Sequence, residues 1–189
     1  MDVAALHRPA VEEFVRRVAD VRPEQWQLPT PCPDWDVRAL VNHVVNEERW
    51  TRPIVDGRTI EEVGAAFDGD LLGADPSAAA EEAAAEASEA VDQRVPEKPV
   101  VHLSFGDVPI EEYVMQLTAD HLIHGWDLAA AIGMDRTLDP GVVDAVSSWF
   151  TEREELYRGA GIIGDRTEGG GDPQSDLLAA FGRHPDWTA

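Results

Sequence analysis

Apolar residues recur at helical spacing through the first twenty positions, where Val3, Leu6, Ala10, Phe14 and Val18 fall on one face and predict a helix over about 2–20. The stretch "VRPEQWQLPTPCPDW" then places four prolines in fifteen residues. Each removes a backbone donor and fixes φ, so a long ordered loop is expected. Asp36 is the natural cap for "VRALVNHVVNEERWTRPIV", whose stripe of Leu40, Val41, Val44 and Val45 predicts a second long helix over 36–56 that stops near Gly57. "TIEE" at 59–62 has the capping-box pattern and opens a short helix. Asp75-Pro76 starts the Ala/Glu run "SAAAEEAAAEASEAVDQRV", rich in helix formers but with so weak an apolar face that an outer, partly solvated helix is expected.

Alternation in "VVHLSFGDVPI" around Gly106-Asp107 predicts a small hairpin turning at that pair. Pro109 introduces "IEEYVMQLTADHLIHGWDLAAAIG", the most apolar helix of the chain, stopped by Gly133. Asp139-Pro140 repeats the cap for "GVVDAVSSWFTEREELYRG", with Val142, Val146, Trp149, Phe150 and Leu156 as its inner stripe. A glycine-rich loop leads to Asp172-Pro173 and a short helix through Phe181. Four long helices at 2–20, 36–56, 109–132 and 140–158 predict an all-α four-helix bundle of up-and-down type, with the Ala/Glu segment as an excursion between the second and third. No internal repeat is visible.

Length and charge narrow the function. At 189 residues and 43% hydrophobic content, one domain over 1–189 is expected. Fifteen Lys+Arg against 37 Asp+Glu give a formal charge of -22, a field that repels phosphate backbones and anionic lipid, so neither nucleic acid nor membrane is an expected partner. One cysteine, Cys32, excludes an internal disulfide, and "MDVAALHRPAVEEF" carries no secretory pattern; a cytoplasmic location is expected. Lys98 is the only lysine beside 14 arginines, a bias of GC-rich bacterial genomes.

The candidate chemistry lies in "TADHLIHGWDLAAA". Residues four apart share a helix face, so Asp120 and His124 point the same way, together with Leu117, Asp127 and Ala131, while His121 lies on an adjoining stripe. His43 offers a third donor from another helix. A carboxylate and an imidazole buried on an apolar helix cost several kcal/mol unless partnered. A divalent metal would supply the partner; so would an arginine such as Arg38 or Arg49, and a solvated face would need none. Asp127 can orient a ligand imidazole, cap local structure or pair with Arg38. Trp35, Trp50 and Trp126 read as core or pocket-wall aromatics, Asn42 and Asn46 as pocket-lining neighbours of His43, and Cys32 as a packed thiol with no base beside it in sequence. The Glu run over 81–89 reads as a solvated face.

"TPCPDWDVRALVNHVV" followed by "HLIHGWDLAAAIG" resembles the metal-binding domain of the mycothiol-dependent maleylpyruvate isomerase family, within the DinB-like superfamily of four-helix bundles, and "DPQSDLLAAFGRHPDW" resembles the ending of its stand-alone relatives. The resemblance implies that His43, Asp120 and His124 hold a divalent metal, usually zinc, with Asp120 standing where the isomerase typically has Glu. His121 is the competing donor and ranks below Asp120. The isomerase carries a further C-terminal domain, and none is expected in this chain.

Two imidazoles and a carboxylate leave an open position on tetrahedral zinc, the arrangement of catalytic sites. Coordination ionises a bound thiol, so mycothiol, the low-molecular-weight thiol of actinobacteria, is the expected cosubstrate, attacking a small electrophile. The expectation is a metal-dependent thiol transferase or isomerase. Its rivals are a non-enzymatic metal- or ligand-binding module and a hydrolase using metal-activated water. Zinc or nickel is favoured by the resemblance; iron shares this donor set. The expected partners are the thiol and the electrophile, with a homodimer left open.

Overall fold

The computed structural model describes residues 2–188. Its helices are α1 (Val3–Ala19), α2 (Val37–Val55), α3 (Ile60–Val63), α4 (Pro76–Arg94), α5 (Ile110–Ile132), α6 (Pro140–Thr151), α7 (Glu154–Gly159) and α8 (Pro173–Ala180), with one hairpin of β1 (Val100–Leu103) and β2 (Gly106–Pro109) before α5. The caps lie where the sequence puts them. The carboxylates of Asp2, Asp36, Asp75, Asp139 and Asp172 each accept a backbone N–H three residues on, and Thr59 and Glu62 complete both halves of the capping box. Among the described residues no helix is long and apolar enough to cross a membrane.

Four expectations about arrangement are corrected. The fourth helix of the bundle is α4, which packs on α1 and α2, and not the segment 140–158. Its buried stripe of Ala80, Ala83, Ala84, Ala87, Ala90 and Val91 is apolar enough because alanines let the helix backbones approach closely, while its Glu face stays outside. The segment 140–158 itself breaks after Thr151 into α6 and α7, where Arg153 turns back to the Trp149 carbonyl and the Glu112 carboxylate. Stacking of Phe150 on Phe181, with centroids 4.0 Å apart, joins α6 to the end of α8.

Helix direction differs too. Arg49 reaches Glu82 and Glu86, Arg52 reaches Glu89, and Arg94 donates to the Val55 carbonyl, so α2 and α4 run parallel. Arg8 pairs with Asp92, near the opposite end of α4, so α1 is antiparallel to it. The order is therefore up, down, down, up, because the 56–75 crossover carries the chain back before α4 begins. In the hairpin, Leu103 faces Gly106 across the ladder, so the turn is Ser104-Phe105 and not Gly106-Asp107. Gly106 has φ of 131°, a backbone region only glycine enters freely, and it serves as the first residue of β2.

Helix α5 is the axis of the molecule, buried over nearly its whole circumference. Phe14, Val18, Val41, Val44 and Leu128 pack on one side of it; Trp126, Phe150, Leu177 and Leu178 pack towards α6 and α8. Burying each large side chain contributes about 1.5–3 kcal/mol, which fixes α2 against α5 firmly enough to position side chains between them.

Candidate metal centre

His43 on α2 and Asp120 and His124 on α5 converge. The Nε2 of His43 lies 3.3 Å from Asp120 Oδ2 and the Nε2 of His124 lies 3.3 Å from Asp120 Oδ1. One ligand atom from each residue falls within 4.8 Å of the others. Side-chain exposures of 28% for His43 and 27% for Asp120 leave the cluster open to solvent on one side, while His124 at 9% closes the other.

The donor set fits a small divalent ion. Tetrahedral coordination with arms of about 2.0–2.1 Å separates neighbouring donors by roughly 3.3–3.4 Å, close to the two nitrogen-to-oxygen distances here. Asp120 Oδ2 is buried with no hydrogen-bond partner, an orphan acceptor that a cation would satisfy. Burial opposes charge on both Asp120 and His124, but mutual attraction wins. The charges of His124 and His43 hold the Asp120 carboxyl well below the usual carboxylate range, and Asp120, with Asp127 behind it, holds His124 well above the usual histidine range. In the metal-free protein a proton on His124 thus occupies part of the role a metal would take.

His121 does not join. Its Nδ1 faces the Leu117 carbonyl at 2.7 Å and its Nε2 faces Glu48 Oε1 at 2.9 Å, so both ring nitrogens are committed in a fully buried pair. Since the carbonyl can only accept, Nδ1 carries a hydrogen and one further proton is shared between Nε2 and the carboxyl. The arginines considered for Asp120 lie elsewhere: Arg38 pairs with Asp70, and Arg49 with Glu82 and Glu86.

Behind His124 stands a chain of charge. The Nδ1 of His124 is 3.0 Å from Asp127 Oδ2; Arg183 donates to the same carboxylate through Nη2 at 2.7 Å and Nε at 3.1 Å. Asp127 is fully buried and, although burial alone would raise its pKa, Arg183 and His124 lower it. Its partner is Arg183 and not Arg38. A hydrogen bond from Nδ1 to this carboxylate fixes the His124 ring and frees Nε2 to face Asp120. Arg183 reaches inward because Gly182 has φ of 77°, reversing the chain after α8, and because Thr167 donates to the Arg183 carbonyl.

The proline-rich loop covers the cluster. Trp35 N–H donates to the Cys32 carbonyl and the Thr30 hydroxyl donates to the Trp35 carbonyl, closing a turn that lays the indole 4.7 Å from the His43 ring and 5.6 Å from that of His124. Trp35 is thus a wall of the site, while Trp126 is core and Trp50 packs near Phe67. Cys32, expected as a packed thiol, lies at the site's edge, its Sγ 3.9 Å from His124 Nδ1, 3.4 Å from Asp127 Oδ2 and 3.0 Å from Arg183 Nη2. Cys32, His124 and Asp127 form a second close donor set, but the Arg183 cation already lies against its sulfur and carboxylate. Asn42 and Asn46 do not line the cluster as expected; they bind backbone of Gly69, Leu71 and Phe67 and tie the crossover to α2.

Fold and cluster together define a helical-bundle protein whose mixed histidine–carboxylate donor set bridges two core helices. Residues 7–129 match the family described as mycothiol maleylpyruvate isomerase N-terminal domain, and the chain belongs to that family. Two Mycobacterium tuberculosis proteins, from strains CDC 1551 and H37Rv and both described as uncharacterized, are each 33% identical over 180 residues, covering 93% of this chain and 87% of theirs. Crystal structures of mycothiol-dependent maleylpyruvate isomerase share the fold, with a TM-score of 0.64 at 13% identity for a mutant form and 0.60 at 14% for another structure of the enzyme. Each covers 92% of this chain and 76% of the other.

Proposed function

We propose that His43, Asp120 and His124 hold a divalent ion, zinc in the first instance, and that the protein uses it to activate mycothiol for transfer to, or isomerisation of, a small electrophile. The observation that carries this reading is the convergence of two imidazole Nε2 atoms on one carboxylate with an orphaned oxygen. The family supports it from a separate direction. A bound divalent ion supplies a Lewis acid that raises the thiolate fraction of a coordinating thiol at neutral pH. The protein's residues do the rest. Asp127, clamped by Arg183, holds a hydrogen on His124 Nδ1 and so keeps Nε2 available as a donor. Trp35 covers the two imidazoles and keeps water off that side of them. The open face between His43 and Asp120 admits the thiol. On this reading residues 1–189 act as one domain in the cytoplasm.

Elemental analysis of untagged protein should find about one zinc or nickel per chain, and cobalt-substituted protein should gain sulfur-to-metal charge-transfer bands on adding mycothiol. His124→Ala should abolish them and Cys32→Ser should leave them. Metal bound without spectral response to any cellular thiol would sink the transferase reading and favour a hydrolase or a binding module.

A further inference from the structure

The metal donors sit between α2 and α5. On the opposite side of the bundle α1 and α4 pack on each other, with α1 also on α5 and α4 on α2. An open groove of about 620 Å³ runs between α1 and α4 there. Its floor is Val11 and Val15 of α1 with Ala84, Ala85 and Ser88 of α4, whose small side chains keep it wide. The rims are charged and exposed: Arg8, Glu12 and Arg16 follow at one-turn intervals on α1, and Glu81, Glu89 and Asp92 stand along α4.

The charges on the two rims match in height. Arg8 pairs with Asp92, which sets residue 8 of α1 level with residue 92 of α4. The helices are antiparallel, so Arg16, eight residues or about 12 Å further along α1, comes level with residue 84, within a turn of Glu81. Each end of the groove thus has an arginine on one rim and an acid on the other. The partners these arginines have within the chain, Asp92 for Arg8 and Glu13 and Asp20 for Arg16, form exposed surface pairs that contribute little and are readily shared. Two copies of a chain of formal charge -22 repel at long range, so a face that joins them must set cations against acids, as this one can.

We propose that the α1–α4 face is an isologous dimer interface, in which a second copy of this chain lays its α1 on α4 and its α4 on α1 about a twofold axis running along the groove. That rotation preserves height along the helices. Arg8 of each copy then meets Glu89 and Asp92 of the other, and Arg16 meets Glu81, while Glu12 stands over the small residues Ala85 and Ser88. A twofold axis across the helices would instead lay α1 on α1, with Arg8 against Arg16 and Glu81 against Glu89, so the charge pattern selects the first. The four helices form a square in which every neighbour is antiparallel, the packing of an up-and-down bundle. Helices of 17 and 19 residues are about 25–28 Å long and, side by side, roughly 20 Å wide. The face therefore buries about 500 Å² of each copy, about 1,000 Å² in total, which reaches the lower bound of a specific interface. The two metal centres face outward, away from the contact.

Sedimentation equilibrium of the full chain tests this. Wild type should pass from the mass of one chain to that of two over about 1–100 μM, as an interface at the lower size limit allows. The double variants Arg8→Glu, Arg16→Glu and Glu81→Arg, Glu89→Arg each set like charge against like in a homodimer and should stay monomeric. Mixed one to one they should dimerise again, because α1 of the first then meets α4 of the second while the wild-type pairing survives on the other side. Ala85→Glu, an exposed change to another good helix former, sets an acid before the partner's Glu12 and should weaken the dimer about tenfold or more. Circular dichroism confirms that each variant keeps its helices. A wild type still monomeric at about 100 μM would overturn the inference and leave the groove to a different protein or a small ligand. So would a dimer indifferent to all three variants, or folded double variants that fail to dimerise when mixed.

Discussion

Asp127→Asn removes one charge from a group that solvent does not reach and leaves two donors facing an amide. In the wild type the carboxylate accepts from Arg183 at 2.7 and 3.1 Å and from His124 Nδ1 at 3.0 Å. Asparagine offers one oxygen, so its NH2 must confront either the guanidinium or the imidazole N–H. Removing one partner of a buried ion pair costs about 3–5 kcal/mol. Arg183 keeps 14% exposure and its bond to the Phe181 carbonyl, which places the expected loss at the low end, about 3 kcal/mol. Urea unfolding of the metal-free proteins measures it as a fall in midpoint at unchanged slope. The pH dependence carries the sign. Asp127 has a depressed folded-state pKa, so its contribution is present above the unfolded value near ~3.9 and is lost as pH falls through the folded pKa; the variant should lack that acid-side loss. A second readout is metal affinity, expected to drop about 10–100-fold as His124 loses its orienting acceptor. A variant within about 1 kcal/mol of wild type at neutral pH, with unchanged metal affinity, would refute the reasoning, because Arg183 and His124 would then not depend on this carboxylate.

Metal uptake should be pH-dependent: burial disfavours a charged His124, yet Asp120 and Asp127 keep it protonated in the metal-free protein. Binding must therefore expel that proton. Zinc competition assays should show affinity rising about tenfold per pH unit below the raised His124 pKa, and a flat profile would mean that His124 is not a ligand. Phe14, fully buried between α1, α2 and α5 and 5.8 Å from the His121 ring, should cost about 3–5 kcal/mol on replacement by alanine, read from urea unfolding; a loss under about 1 kcal/mol would mean the core there collapses around the gap.

Much of the helix layout was legible because it is local. Asp36, Asp75, Asp139 and Asp172 cap helices within three residues of themselves, Gly133 ends α5 with φ of 73°, and the i, i+4 spacing of Asp120 and His124 sets them on one face whatever surrounds them. The motif around His43 supplied the third member through its resemblance to the family, and packing of α2 on α5 brings it within 3.3 Å. What propensity could not rank was the choice of fourth bundle helix. A weak apolar stripe of alanines looks like a solvated helix until its neighbours are close enough to use it, and the 140–158 stripe looks continuous until Arg153 finds Glu112, 41 residues away.

Tertiary structure alone decided which polar groups were spent and which were left free. His121 competes with Asp120 for the site by sequence; the Leu117 carbonyl and Glu48, 73 residues from His121 on another helix, withdraw His121 from it. Arg183 becomes the partner of Asp127 across 56 residues, and of Cys32 across 151, through a reversal after α8 that no local pattern around Asp127 encodes. Glu47 reads as one more acid in "NEER" until burial and the charge of Asp120 raise its pKa, against the opposing pull of His43, His121 and His124. Backbone capping and helix faces are settled within a turn or two of chain, where covalent geometry fixes the neighbours. The state of a buried charge depends on groups that only packing brings within a few ångströms, where the loss of water makes each contact count most.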